Sequence, residues 1–417
     1  MNLLLKNSKL KTRNSKLQIT GSKSETNRLL LLQALYPNLV LENTSNSDDS
    51  EVMSKALENS QLATRYSQLI DVHHAGSAIR FLTAYFAIQD GIEVVLTGSN
   101  RMKDRPIKII VEALNQLGAE ITYLENEGFP PIRIKGKKIT RNKISLSANV
   151  SSQYISALLL IAPKLENGLE LTLKEEITSI PYIKMTLSLL NEIGVKTTFV
   201  GNKIKVCYAE LVSASILTVE SDWTSASYWY SIVALSEIGT KIILSSYKVN
   251  SLQGDIALVK IYQDFGVNTI FNNDNSITIS KERIHSQLAT HNWQLNEYPD
   301  IAQTIAVTCF GLGMGCDLFG LNTLKIKETD RLVALKNELT KLGATITVTN
   351  ESLHLKQSIY INQNISIKTY QDHRMAMAFA PLALKTPIII ENAEVISKSY
   401  PTFWKDLKNY GFQYKKL

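Results

Sequence analysis

The chain has 417 residues, a formal net charge of +7 and a pI near 9.0, with 44% hydrophobic and 20% charged residues. That length exceeds what one hydrophobic core usually supports, so two domains are expected, and the composition is that of a soluble globular protein rather than a disordered one. The positive charge is spread without a Lys/Arg block, which favours small anionic ligands and argues against a nucleic-acid arm.

Cys207, Cys309 and Cys316 form no CxxC pair, and an odd count fits reduced thiols in the cytoplasm. The opening "MNLLLKNSKLKTRNSK" has too short an apolar run for a signal peptide, and "LLLLQAL" is too short to span a bilayer. No membrane partner is expected.

"GSKSETNRLLLLQAL", from Gly21 to Leu35, predicts a helix that begins with Lys23, Ser24 and Arg28. A helix N-terminus already carries partial positive charge and unpaired N–H groups, so added cations suit a bound anion. Ser24 and Arg28 are four apart and share a face. A serine cap with a solvated lysine and arginine is the plain alternative.

Similar polar starts to apolar helices follow at His73 ("HHAGSAIRFLTAYFA"), Ser151 ("SSQYISALLLIA"), Ser221 ("SDWTSASYWYSIVAL"), Tyr298 ("YPDIAQTIAVTCF") and Asp372 ("DHRMAMAFAPLAL"). They are spaced about 70 to 80 residues apart, except that the second comes sooner. A second mark repeats in phase: a helix end, a glycine, then a strand, at Gly118, Gly194, Gly266, Gly343 and Gly411. A left-handed residue after each helix explains these glycines. The first unit lacks one, and Asn59 is expected to take its place. "KIKVCYAELV" and "SITISKE" read as strands. Six α/β units result. If symmetry relates them, their polar helix starts converge on a cleft suited to phosphate and carboxylate.

Between these marks lie further charged motifs. In "NRMKDRPIKIIVEAL", Pro106 suits a first helical turn and puts Arg105 at its start, while Arg101, Lys103 and Arg105 share a side if extended. A solvated loop is the alternative. "NEYPDIAQTIA" supplies Asp300 at a helix start, where capping alone would explain it. In "LKIKETDRLVAL", Lys327 and Arg331 are four apart around Glu328 and Asp330. On a helix these like charges repel unless an anion or the intervening carboxylates lie between them. Thr329 or Asp330 as a cap would explain the acidic pair but not the cations. "TYQDHRMAMAF" sets Asp372, His373 and Arg374 at a helix start, a polar setting for the histidine. Histidine and cysteine show no zinc spacing, so no metal and no cofactor are expected.

Taken together, "SKSETNRLLLLQAL", "AGSAIRFL", "RMKDRPI", "SSQYISALLL", "PDIAQTIA", "KETDRL" and "DHRMAMAF", in that order, resemble the 5-enolpyruvylshikimate-3-phosphate synthases, the 3-phosphoshikimate 1-carboxyvinyltransferases. The resemblance runs from Lys23 to near the C-terminus. It implies an α/β fold of two similar domains, each of three βαβαββ-like repeats, the inside-out α/β barrel of the enolpyruvyl transferases. Domain I would comprise residues 1–20 plus 220–417 and domain II residues 21–219, with the chain crossing near Thr20 and Val219. It also implies transfer of the enolpyruvyl group of phosphoenolpyruvate to the 5-hydroxyl of shikimate 3-phosphate, with release of phosphate, in the shikimate pathway of aromatic amino-acid biosynthesis. The implied partners are these two small molecules, and the implied enzyme is a cytoplasmic monomer.

Residue by residue, the resemblance assigns Lys23, Ser24, Arg28, Ser151, Ser152, Gln153, Ser179, Tyr182, Asp300 and Lys327 to shikimate 3-phosphate. It assigns Lys23, Gly76, Arg105, Gln153, Arg331, Arg374 and Lys398 to phosphoenolpyruvate. Asp300 would accept the hydroxyl proton, Glu328 would protonate the methylene carbon, and Lys23 would also serve catalysis. Departures from the family pattern are His74 for a usual Asn, Ser77 for Thr, Phe81 for Pro, Thr323 beside Asn322 for a substrate-binding Asn, and Ile180 for a frequent Lys. The rival transferase acting on UDP-N-acetylglucosamine typically carries a reactive cysteine in the "NRMKDRP" loop, and none is present. A non-catalytic anion- or RNA-binding protein on this fold would tolerate loss of Asp300 or Glu328, and both are present.

Overall fold

The computed structural model describes residues 1–6, 10, 15–62, 68–147, 151–175, 177, 179–210, 215–284 and 290–417. The chain folds as two compact units, Gly21–Val219 and Met1–Thr20 with Glu220–Leu417.

In the Gly21–Val219 unit, the predicted helix starts lead into Lys23–Leu35, Gly76–Ala87 and Ser152–Ile161. These helices are covered on nearly every side, the first despite its polar opening turn, so they lie inside, and the sheets carry the wet faces. In one sheet Gln68–Asp71 runs parallel to Glu93–Thr97, which pairs antiparallel with Ile132–Lys135, itself antiparallel to Glu120–Tyr123. Lys143–Ser147, Leu169–Lys174, Lys203–Val206 and Thr197–Val200 repeat that order. A third sheet pairs Ser215–Thr218 with Leu39–Glu42 in parallel. The outward residues of Ile132–Lys135 are Arg133 and Lys135, while Ile132 and Ile134 are buried, the alternation of a sheet with one wet face.

The other unit repeats the plan around Trp223–Leu235, Ala302–Leu312 and His373–Phe379. Thr290–Gln294, Gly315–Phe319, Ser352–Leu355 and Ile346–Val348 form a sheet of the same order. The last sheet is completed from the start of the chain: Leu3–Leu5 lies between Ile388–Ile390 and Tyr414–Lys416, with Leu4 opposite Ile389 and Lys415. Leu17 likewise bridges in parallel to Leu244 at the edge of the sheet built from Lys241–Ser245, Ser276–Lys281 and Val267–Phe271. Each unit thus holds three copies of one α/β motif.

The five glycines after helices all have positive φ, between 76° at Gly266 and 110° at Gly118. Asn59 does not play that part, because Asp48–Leu62 continues through it as helix. "KIKVCYAELV" forms a strand only over Lys203–Val206, and its last two residues lie outside the described residues.

Candidate active site

In the Gly21–Val219 unit, Ser22 caps the first inner helix by accepting from the Glu25 amide at 3.5 Å. Neither cation behind it is solvated. Lys23 Nζ lies 3.2 Å from Asp49 Oδ2, and both side chains are largely covered. Arg28 is buried, and its three nitrogens donate to Thr186 Oγ1 at 2.8 Å, Ser156 Oγ at 3.0 Å and the Ser24 carbonyl at 2.6 Å. Its guanidinium carbon sits 5.4 Å from the Phe81 ring centroid and 5.8 Å from that of Tyr182. Among the described residues no carboxylate reaches Arg28 within ion-pair distance. Burial lowers its pKa to about 10, although Tyr182 and Glu25 oppose the fall. A buried cation held by neutral oxygens and ring faces is what an incoming anion would stabilise.

Ser151 caps Ser152–Ile161, accepting from the Gln153 amide at 3.3 Å, and the Gln153 amide group donates to Ser77 Oγ at 2.9 Å. Ser152 is buried. Ser179 precedes Ile180–Glu192 in a left-handed conformation, φ 55°, without capping it, and the Tyr182 amide donates to its carbonyl at 3.1 Å. His74 Nδ1 shares a hydrogen bond of 2.8 Å with Ser99 Oγ.

Arg105 follows a single helical turn, Asn100–Lys103, and the next helix begins only at Lys108. The extended alternation of Arg101, Lys103 and Arg105 is therefore not formed, and Pro106 precedes the helix rather than opening it. Lys103 turns to Glu125, 2.8 Å away. The Arg105 guanidinium instead lies on Gly76: a Cβ there would fall 2.5–2.7 Å from its terminal atoms.

In the other unit the charged groups form one cluster. Asp300 sits in the turn Pro299–Ile301 and caps nothing. Its Oδ1 accepts from Arg331 Nη1 at 2.8 Å and lies 3.4 Å from Lys327 Nζ, and its Oδ2 accepts from Arg374 Nη2 at 3.1 Å. Arg331 is 1% exposed; it also donates through Nε to Asp372 at 2.6 Å and through Nη2 to Glu328 at 2.9 Å. Asp372 accepts from the Arg374 amide at 2.9 Å and so caps His373–Phe379 while gripping Arg331. The buried His373 ring lies 3.9 Å from Asp372. Lys398 Nζ donates to the Gln371 carbonyl at 2.7 Å, which the left-handed Tyr370 and Gln371 turn toward it.

Lys327 to Arg331 is not one helix. Arg331 begins Arg331–Lys341, Asp330 caps it, and Lys327 lies outside. The two cations meet across the Asp300 carboxylate, which offsets their repulsion. Burial alone would raise the Asp300 pKa, but Arg374, Lys327 and Arg331 outweigh it and hold the carboxyl well below the usual range. For Lys327, burial outweighs the pull of Asp300 and lowers the pKa. In Arg331 the three carboxylates overcome burial and keep the guanidinium charged. Among the described residues no group of His, Cys, Asp and Glu is arranged to hold a metal.

A family model described as EPSP synthase (3-phosphoshikimate 1-carboxyvinyltransferase) matches residues 36–407. The chain belongs to the EPSP synthase family. A 3-phosphoshikimate 1-carboxyvinyltransferase of Bacteroides fragilis (strain YCH46) is 44% identical over 408 residues, covering 96% of each chain. One from Haemophilus influenzae (strain PittEE) is 35% identical over 423 residues, covering 94% of this chain and 95% of its own. An EPSP synthase structure from Acinetobacter baumannii superposes with a TM-score of 0.79 at 19% identity over all of both chains. The enolpyruvyl transferase NikO from Streptomyces tendae superposes with a TM-score of 0.73 at 12% identity, covering 99% of this chain and 98% of its own. These two likenesses concern the fold, the enolpyruvyl transferase fold.

Sequence reasoning singled out the cations assigned to substrate but missed the buried Arg80 and two of the carboxylates around them. Asp49 follows a helix start, "SDDSE", whose acidic residues read as ordinary first-turn charges. Asp255 carries no sequence signal. It is buried in the turn Gly254–Ala257, accepts from the Thr224 hydroxyl, and is pushed up to about 7 by burial and then by the negative charge of Asp300. Among the departures, Phe81 supplies the ring under Arg28 and Ser77 the acceptor for Gln153. Asn322 is exposed, and the Thr323 hydroxyl is buried with no partner among the described residues.

Proposed function

We infer that this protein is a 3-phosphoshikimate 1-carboxyvinyltransferase, moving the enolpyruvyl group of phosphoenolpyruvate to the 5-hydroxyl of shikimate 3-phosphate and releasing phosphate. The carrying observation is that Asp300 and Glu328 share one buried guanidinium, Arg331, through different nitrogens. The reaction needs one proton removed and another delivered, and two carboxylates on one rigid anchor suit both tasks.

Asp300, kept ionised by its cations, takes the hydroxyl proton, with Lys327 beside the same hydroxyl. Phosphoenolpyruvate drawing on Arg331 weakens the ion pair that otherwise keeps Glu328 ionised, so the carboxyl can hold the proton it delivers to the methylene carbon, and the central carbon gains cationic character that the hydroxyl oxygen attacks. Elimination of phosphate then reverses the proton traffic. Phosphoenolpyruvate is assigned to Arg331, Arg374 and Lys398, and there it competes with Asp300 for the charge of the two arginines. Asp300 is thereby made more basic at the moment both substrates are present. In the Gly21–Val219 unit, Lys23, Ser24, Arg28, Ser151, Ser152, Gln153, Ser179 and Tyr182 are assigned to shikimate 3-phosphate. Lys23, Gly76, Arg105 and Gln153 are assigned to phosphoenolpyruvate. Arginine suits such contacts because its fork donates two parallel hydrogen bonds. The three free thiols support a cytoplasmic setting.

The test is phosphate release by the purified protein. Release should require both substrates and should not occur with UDP-N-acetylglucosamine in place of shikimate 3-phosphate. In the same assay Glu328→Gln should bind both substrates yet turn over about a hundredfold or more slower. Turnover with the nucleotide sugar alone, or a normal rate for Glu328→Gln, would overturn the reading.

A further inference from the structure

The short segment that carries Arg105 is held at three points. The Arg105 amide donates to the Met102 carbonyl at 3.0 Å, and the Ile107 amide to the Gly128 carbonyl at 2.8 Å. The third point is the Pro106 carbonyl, which accepts from the Tyr154 hydroxyl at 2.6 Å and from Arg80 Nη2 at 3.3 Å. The other end of the Arg80 fork, Nη1, donates to the Gly76 carbonyl at 2.7 Å. The Arg80 guanidinium carbon lies 5.2 Å from the Tyr154 ring centroid.

Arg80 is buried, and among the described residues it has no carboxylate partner. Its Nε is buried with no hydrogen-bond partner among the described residues. A residue needed only for packing would not carry this desolvated charge. The two carbonyls it joins are those of Gly76, on which the Arg105 guanidinium rests, and of Pro106, the residue after Arg105. One fork thus sets the spacing between the helix start and the Arg105 segment. Tyr154 braces that fork with its ring and grips the same Pro106 carbonyl with its hydroxyl.

We propose that Tyr154 and Arg80 are a positioning pair that seats the Arg105 guanidinium on Gly76 for phosphoenolpyruvate. This rests on the assignment of Arg105 to phosphoenolpyruvate above. Neither residue touches the substrate in this scheme; they act through Arg105. Tyr154→Phe keeps the ring and removes one buried hydrogen bond, worth about 1 kcal/mol, or about a fivefold change in an equilibrium constant. The expected result is about a fivefold rise in KM for phosphoenolpyruvate, with kcat and KM for shikimate 3-phosphate within about twofold of the parent. Arg80→Lys offers one point charge for two carbonyls and should raise the same KM further. Arg105→Ala alone should raise it most, and Tyr154→Phe added to Arg105→Ala should change it little, because the positioned group is gone.

The outcomes separate the two claims. If Arg105→Ala leaves KM for phosphoenolpyruvate unchanged, the assignment of Arg105 falls and the positioning role falls with it. If Arg105→Ala raises that KM but Tyr154→Phe and Arg80→Lys do not, the assignment stands and the positioning role is overturned. The positioning role is likewise overturned if the two variants lower thermal stability and kcat together without a selective change in that KM.

Discussion

Asp255, buried, and Asp300, largely covered, are carboxyls of one unit whose surroundings push them in opposite directions. For Asp300 the neighbouring cations win over burial, so its native pKa lies below its unfolded value. That contribution to stability is present above about pH 4 and is lost as the pH falls through the native pKa. For Asp255, burial and the Asp300 charge win, and the native pKa stands at about 7. There the native state holds a proton that the unfolded chain has already released. Stability therefore falls as the pH rises from about 4 to 7 and changes little beyond, at about 1.4 kcal/mol for each pH unit of displacement. Asp255→Asn keeps an acceptor for the Thr224 hydroxyl and removes the titration. Its thermal midpoint relative to the parent should climb between about pH 4.5 and 7.5 and then level off. A difference that stays constant over that range would show that Asp255 ionises at its ordinary pKa.

Among the elements, Arg331–Lys341 shows most plainly how local sequence serves the site. Asp330 accepts from the amides of Leu332 and Val333, both at 3.1 Å, so the helix begins at Arg331 and that side chain has one origin. Asp330→Ala should cost about 1 kcal/mol in denaturant unfolding. It should also lower kcat, because Arg331 loses the turn that fixes it. Asp330→Asn, an equally good cap, should restore both. Stability lost with kcat untouched would separate the cap from the site.

This helix also marks how far sequence pattern could be read. The cap was legible down to Thr329 or Asp330, because capping depends on neighbours one turn away, and Asp330 takes it. The glycines after five helices were legible too, because a left-handed backbone position is a local demand. The alternation of Arg101, Lys103 and Arg105 misled, because a single capped turn at Asn100–Lys103 won over extension. Asn59 misled because nothing local says how many turns Asp48–Leu62 runs. The anchoring of Arg331 by Asp300 and Asp372, and of Lys23 by Asp49, depends on residues 31, 41 and 26 positions away in the chain. Cations announce an anion from sequence; their protein counter-ions are set only by the fold.

At the scale of the whole molecule, the two units distribute charge differently. In one, Arg331, Arg374 and Lys327 are matched by Asp300, Glu328 and Asp372. In the other, the buried Arg28 and Arg80 lack carboxylate partners among the described residues, and the full chain carries +7 from 45 basic and 38 acidic residues. Long-range attraction from that excess should speed the arrival of multiply anionic substrates, and added salt should screen it, since the Debye length shrinks from about 30 Å at 0.01 M to about 3 Å at 1 M. Contacts made to buried guanidinium groups after arrival are screened far less. Raising sodium chloride from about 0.02 to 0.5 M should therefore lower kcat/KM for both substrates several-fold while kcat at saturation changes little. Sulfate at equal ionic strength should inhibit further and competitively with shikimate 3-phosphate, because a tetrahedral dianion can use the donors left on Arg28. If kcat/KM is indifferent to salt, long-range attraction plays no part in capture. If sulfate acts no more strongly than chloride, Arg28 is not an anion site.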